Sequence, residues 1–132
     1  MSVLQLEVVT PDTTVVSAEV EMVVCPGVQG EFGVLPNHVS MLSALKIGDL
    51  RYRVNGKDEH VFISGGFADV NNNVMSVLAE SAEKAADIDT ARAQSAKERA
   101  EKRLAARDDK VDTVRAESSL QRAITRLQIA RG

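Results

Sequence analysis

The placement of glycine and proline constrains this chain more than any other feature. All three prolines (Pro11, Pro26, Pro36) and seven of the eight glycines lie at or before Gly66, and only Gly132 follows. Both residue types end regular elements and permit tight turns, so the first half is written for short-turn architecture. From Ala79 onward Ala, Arg, Lys, Glu, Gln and Leu dominate, the residues that lose least on becoming helical. The stretch Ala79 to Ala93, AESAEKAADIDTARA, is therefore a seam between a sheet-forming part and a helix-forming part.

A chain of 132 residues has room for one small domain and an appendage. The expected organisation is a domain over residues 1–86 and a second over residues 87–132. The first is expected to be an N-terminal antiparallel β-sandwich, the second a C-terminal antiparallel α-helical hairpin.

The strand signals are local. Val3 to Val9 and Thr14 to Ala18 are β-branched runs joined at Thr10-Pro11-Asp12, and a further alternating run over residues 19–24 ends at Pro26-Gly27. The segment Gly27 to Leu42, GVQGEFGVLPNHVSML, mixes three glycines and a proline with apolar residues, as at a sandwich corner or a loop that approaches a partner closely. Leu50 to Val54 alternates, Asn55-Gly56 is a hairpin turn, and His60 to Ser64 is the return strand. Gly65-Gly66 is expected to break the sheet before Phe67 to Val70, and Asn71-Asn72-Asn73 to turn into Val74 to Ala79. Eight to ten short strands of this kind make a sandwich or a flattened barrel.

Beyond the seam, Asp87 or Asp89 is placed to cap a helix from about Thr90 to Arg107, and Asp108-Asp109-Lys110 to interrupt it. A second helix is expected from about Val111 to Ala130. Its apolar stripe is Ala116, Leu120, Ala123, Leu127 and Ala130, facing Ala93, Ala96, Ala100 and Leu104 of the first. A seam made mostly of alanine buries little apolar area at roughly 25 cal/mol per Å². Such a hairpin is marginally stable and can open when a partner offers a better surface.

Charge divides along the same seam. Residues 1–88 carry five Lys/Arg against twelve Asp/Glu, whereas residues 89–132 carry eleven against seven. The sheet part is acidic and the helical part basic, so either the halves attract each other or the helices meet an acidic partner. With three Phe, one Tyr and no Trp, the core must be aliphatic. Cys25 is the only cysteine; it has no disulfide partner or zinc-ligand cluster and reads as a small core residue. No apolar run approaches the roughly 20 residues of a membrane span, and MSVLQLEVVTPD lacks the pattern of a secretory signal. A soluble, cytoplasmic protein without direct membrane insertion is expected.

Catalysis lacks its parts: His38 and His60 are isolated, and no phosphate-binding, nucleophile-elbow or metal-ligand motif is present. Nucleic acid is disfavoured by the acidic balance and by the lack of any aromatic residue in the helical half. The arginines leave two readings open. Asp89, Arg92, Ala96, Arg99 and Arg103 share one helix face, and Arg115, Ser119, Arg122 and Arg126 share another. These are either a converging set of forked donors suited to phosphates, or a solvated surface with Glu98 and Lys102 as an ordinary helical pair.

Three motifs, GEFGVLPNHVSML (Gly30 to Leu42), SGGFADV (Ser64 to Val70) and IDTARA (Ile88 to Ala93), together resemble the epsilon subunits of F-type ATP synthases, in order and over the whole chain. The resemblance implies a sandwich that binds the gamma subunit and the c-ring, with Glu31 on the c-ring side and His38 on the gamma side. It implies a regulatory hairpin that folds on the sandwich or extends towards the alpha and beta subunits. The implied role is a non-catalytic rotor component that couples proton flow to ATP synthesis and restrains ATP hydrolysis, at the cytoplasmic face of a bacterial plasma membrane. No cofactor is obligatory. ATP is the implied regulatory ligand: Ile88, Asp89, Arg92 and Ala93 match the ATP-associated motif of bacterial members, and Glu83, Arg99, Arg122 and Arg126 stand where others contact nucleotide. A purely structural adaptor, with its arginines in solvent, is the competing reading.

Overall fold

The computed structural model describes residues 2–106 and 112–131. The chain divides into two compact units, residues 1–84 and 85–132.

The first unit is one continuous sheet folded into a sandwich. Its strands are β1 (Leu4–Val9), β2 (Thr14–Val20), β3 (Met22–Gly27), β4 (Gly30–Val34), β5 (Met41–Val54), β6 (Lys57–Asn71), β7 (Val74–Ala79) and β8 (Ala82–Lys84). They lie in the order β2-β1-β7-β6-β5-β3-β4, with β8 paired to β6. All neighbours are antiparallel except β1 and β7, which run parallel from Gln5↔Val74 to Val9↔Leu78. β2 also lies beside β5 and β8, with which it shares no ladder, so the sheet closes over on itself. Alternation puts Leu4, Leu6 and Val8 of β1 inside, where they meet Val20, Val23, Val34, Leu50, Ile63, Val70, Met75 and Val77 in one aliphatic core. Cys25 is buried there as a free thiol, and burial pushes its pKa up to about 12.

Two hairpins follow from asparagine chemistry. Asn55 and Gly56 have φ of 52° and 75°, and Asn72 and Asn73 have φ of 52° and 61°. Paired positive φ values make the tight turns whose twist matches that of the flanking strands. The first turn joins Val54 to Lys57 and the second Asn71 to Val74.

Several local expectations are corrected. Gly65-Gly66 does not break the sheet: β6 continues through both glycines, with β5 paired to it on one side from Val54↔Lys57 to Met41↔Val70. On its other side β6 pairs with β8 at Val61 to Ile63 and with β7 from Gly66 onward. The glycines, at φ of 101° and 145°, bend the strand where it changes partners. Ser64 and Ser81 close that gap: the Ser81 amide donates to Ser64 Oγ at 2.9 Å and Ser81 Oγ donates to Ser64 Oγ at 2.8 Å. Only Gly fits at position 66, because a Cβ there would lie 1.9 Å from the Leu78 carbonyl oxygen. The first strand break after β2 falls at Glu21, not at Ala18. The glycine-rich segment after Gly27 holds a strand of its own, β4, and β5 begins at Met41, well before Leu50.

The second unit begins with a 3-10 turn at Ala85–Asp87 that lies against the second of two helices, α1 (Thr90–Ala106) and α2 (Thr113–Arg131). The helices pack on each other as an antiparallel hairpin. Asp89, not Asp87, caps α1: its Oδ1 accepts from the Arg92 amide at 3.0 Å. Asp112 does the same for α2, accepting from the Arg115 amide at 3.0 Å. The expected interruption at Asp108-Asp109-Lys110, and the ends at Arg107 and Val111, lie outside the described residues. Ala93 and Ala100 of α1 and Ala116, Ala123 and Leu127 of α2 are buried, as the stripes predict, while Ala96, Leu104, Leu120 and Ala130 are half-buried. α2 also buries Thr125 and Ile129, which the 3.6-residue period puts on its opposite side. Thr125 is accommodated by donating its hydroxyl to the Gln121 carbonyl at 2.7 Å.

Candidate functional site

The sheet unit carries an outward-facing apolar row. Register places Val9 beside Leu78, Leu78 beside Phe67, and Phe67 beside Ala44, so the row crosses β1, β7, β6 and β5 in succession. Phe67 is 56% exposed, Leu78 59% and Leu42, one step along β5, 73%. A groove of about 390 Å³ runs alongside, lined by Pro11, Gly66, Phe67 and Leu78 among others. Large apolar side chains gathered on one outer face mark a surface that meets another molecule. The alternation of β6 and β7 gave the signal for this row, since Phe67 and Leu78 fall out of phase with the buried Ala68, Val70, Val77 and Ala79. Sequence reasoning passed over it, because which strands are neighbours is decided by the ladder.

Glu31 and His38 lie near this unit's β4 end. Glu31 is exposed on β4, opposite Pro26. His38 is half-buried in the segment between β4 and β5, where its amide donates to the Leu35 carbonyl at 3.2 Å and its Nδ1–H to the Val39 carbonyl at 2.7 Å. Leu35 and Val39 flank it at 59% and 76% exposure.

Glu83 belongs to the sheet unit, half-buried on β8 opposite Phe62. The remaining candidate nucleotide residues belong to the helical unit. Ile88, Asp89, Arg92 and Ala93 occupy the positions of a helix start. Asp89 is the N-cap and Arg92 the third helical residue, while Ile88 before the cap and Ala93 after it are both buried, at the spacing of a hydrophobic staple. Ile88 and Ala93 thus stand where such a staple sets the entry angle of a helix, and Asp89 spends one carboxylate oxygen on the cap. Arg92 is left exposed on the outer side of the first turn, and Arg99 is exposed two turns on, on the same face. Among the described residues neither has a carboxylate partner. Glu98 accepts from Gln94 at 3.3 Å, in place of the expected pairing with Lys102.

On α2, Arg122 and Arg126 are half-buried on one face, and Arg122 Nη2 donates to Ser119 Oγ at 3.1 Å. In an antiparallel pair Arg92, near the start of α1, stands level with Arg126, near the end of α2. The hairpin therefore carries a guanidinium group on each helix towards the same end. Among the described residues no group of His, Cys, Asp and Glu is placed to hold a metal ion.

Comparison with known proteins agrees with both units. A profile described as ATP synthase, Delta/Epsilon chain, beta-sandwich domain matches residues 3–85, and one described as ATP synthase, Delta/Epsilon chain, long alpha-helix domain matches residues 86–131. The ATP synthase epsilon chain of Nitratidesulfovibrio vulgaris is 58% identical over 126 residues, covering 96% of this chain and 94% of that one. That of Lawsonia intracellularis is 57% identical over 127 residues, covering 96% of both. Among solved structures, a chain of the Euglena gracilis mitochondrial ATP synthase, in an OSCP/F1/c-ring assembly, aligns with all of this chain and 83% of its own at a TM-score of 0.83 and 26% identity. A chain of the Tetrahymena thermophila central stalk and c-ring shares the fold at a TM-score of 0.59 and 12% identity, covering 96% of this chain and 95% of its own. With both halves matched in order and bacterial epsilon chains alike along nearly its full length, this chain belongs to the delta/epsilon chain family of ATP synthases.

Proposed function

We propose that this chain is a non-catalytic rotor subunit of a proton-translocating ATP synthase, whose sandwich joins the gamma subunit to the c-ring and whose helical hairpin restrains ATP hydrolysis. The apolar row across β1, β7, β6 and β5 carries this reading, because a soluble-sized sheet with Phe67 and Leu78 uncovered needs a partner to exclude water from them. Gamma covers that row, His38 lies on the gamma side, and Glu31 on the edge strand faces the c-ring. The complex holds the chain at the cytoplasmic face of a bacterial plasma membrane without inserting it; among the described residues no helix is long and apolar enough to cross a membrane.

The helical unit supplies regulation. Its helices meet through alanine, so little apolar area is lost when they part, and the basic α2 can reach acidic segments of the alpha and beta subunits and block rotation in the hydrolysis direction. ATP bridging Arg92 on α1 and Arg122 and Arg126 on α2 ties the helices together, with Asp89 holding the start of α1 in place and Arg99 adding a contact. A ligand shifts such an equilibrium only through its greater affinity for the folded form; moving the ratio from 1:99 to 99:1 takes about 5.5 kcal/mol.

Calorimetric titration of ATP, and separately ADP, into the isolated chain tests the ligand. Saturable ATP binding that disappears in both Arg92→Ala and Arg126→Ala is expected. No heat at millimolar ATP would return the arginines to partner contacts or solvent while leaving the rotor role intact. Deleting residues 88–132 tests the regulation: normal assembly with increased hydrolysis is expected, whereas poor assembly would mark the hairpin as a structural adaptor.

A further inference from the structure

We infer that Asn73 is a positioning residue for partner binding: its side chain clamps the Leu35–Ser40 loop in the shape that presents Leu35, His38 and Val39. The loop has no ladder of its own, lying between β4 and β5. Beyond its own bonds from His38 to Leu35 and Val39, what holds it comes from the turn between β6 and β7, remote in sequence. Asn73 Oδ1 accepts from the Asn37 amide at 2.8 Å, and Asn73 Nδ2 donates to the Val3 carbonyl at 2.8 Å. The same residue's carbonyl accepts from the Gln5 amide at 3.2 Å, which ties the turn to β1. Ser40 Oγ donates to Asn71 Oδ1 at 3.4 Å, a second and longer tie from the same turn.

The amide side chain is used at both ends, one acceptor and one donor, so no other residue of similar size satisfies both partners. Asn37, the residue it grips, has a φ of 65°, and Asn73 itself has a φ of 61°. Each is in a conformation that an L-residue adopts at a cost and that asparagine tolerates best after glycine. The loop is thus bent by Asn37 and pinned at the bend. Its exposed Leu35 and Val39 are of use to a partner only if they are held apart and outward before the encounter. A loop ordered in advance spares binding the entropy of ordering it. The inference rests on the reading that this loop meets the rotor partners.

The decisive variant is Asn73→Gly, since glycine keeps the positive φ and the turn while removing both side-chain hydrogen bonds. Amide hydrogen exchange on the full isolated chain reads the clamp, and affinity for a gamma/c-ring subcomplex lacking this chain reads its use. Exchange at Asn37 is expected to quicken about tenfold, the loss of one hydrogen bond. Affinity is expected to fall by at least about threefold, with the thermal midpoint of the isolated chain unchanged. Asn73→Asp, which tolerates the same φ and keeps an acceptor for the Asn37 amide, is expected to retain slow exchange there. Unchanged exchange in Asn73→Gly, or exchange as fast in Asn73→Asp, would overturn the clamp. Faster exchange with undiminished affinity would overturn its role in binding, and so would an affinity loss matched by a lowered thermal midpoint. Leu35→Ser and Val39→Ser separate the two failures: if they weaken binding and Asn73→Gly does not, the loop is a contact and Asn73 does not position it. If none of the three weakens binding, the loop is no contact and the inference falls with that reading.

Discussion

The two units of this chain are held together in opposite ways. In the sheet unit Leu4, Leu6, Val8, Val20, Val23, Leu50, Ile63 and Met75 have no exposed surface at all. Every one of them packs into a single cluster that spans seven strands. Among the described residues of the helical unit the buried set is Ile88, four alanines, Thr125, Leu127 and Ile129, and the three large apolar members each keep 6–8% of their surface in solvent. Burying a leucine or isoleucine contributes about 1.5–3 kcal/mol, several times what an alanine gives. The sheet unit therefore draws more stability from burial than the hairpin does, which is the contrast that the proposed switch requires.

The comparison breaks most readily at Gly66. Adding a methyl group drives a Cβ to 1.9 Å from the Leu78 carbonyl at a backbone φ of 145°, so Gly66→Ala is expected to cost more than about 4 kcal/mol. Urea denaturation of the isolated chain measures it. A loss under about 1 kcal/mol would mean that β6 and β7 can separate freely at the corner, against the picture of a rigid sheet.

Thiol labelling sharpens the contrast without perturbing the sheet. Cys25 is buried with its thiol held protonated, so in the native chain it should react only through global unfolding. Ala123→Cys in a Cys25→Ala background places a thiol in the helical seam, and it should label about a hundredfold or more faster. Equal rates would show that the two units open together. The raised thiol pKa also has a pH consequence. Below about 9 the thiol is protonated in both folded and unfolded chain; between 9 and about 12 only the unfolded chain ionises. Stability should therefore decline as pH rises through that window.

A smaller effect belongs to Asp89. Removing the cap in Asp89→Ala leaves the Arg92 amide without its partner, at about 1 kcal/mol. Amide exchange should quicken in the first turn of α1 and leave β1 to β7 untouched. Spread of the effect into the sheet would show that the two units open together.

The smallest is Asp58, whose carboxyl is held below the ordinary carboxylate range by its hydrogen bond to Arg53 Nε at 2.8 Å. Its folded pKa is depressed, so its contribution is present above the unfolded value of about 3.8 and is lost as pH falls through the folded one. Because the pair is exposed, Asp58→Asn should alter acid stability only slightly. A large shift in the acid midpoint would show the β5–β6 hairpin to be more tightly coupled to the core than its exposure indicates.

Wherever a structural choice is made by neighbours in sequence, the sequence by itself decided it. Asn55-Gly56 and Asn72-Asn73 turn because their own backbones accept positive φ, the alternation of β1 names Leu4, Leu6 and Val8 as core, and the alanine spacing names the seam of the hairpin. Asp89 and Asp112 cap because the first amides of a helix need an acceptor within reach. The pattern of Ile88, Asp89, Arg92 and Ala93 is in large part that of a helix start.

Tertiary structure alone decided what depends on partners distant in the chain. Gly65-Gly66 has the composition of a strand break, and it became a bend because β5 continues to pair along its other side. Phe67 and Leu78 alternate with buried neighbours on their own strands, yet only ladder register puts them together on the outer face with Val9 and Ala44. Asn73 reads as turn chemistry, and its grip on Asn37 and Val3 exists only once the sheet has brought three remote segments within hydrogen-bond distance. The physical reason is the same in each case: dihedral preference and periodicity are properties of a short segment, whereas ladder pairing and burial are properties of surfaces that meet only after folding.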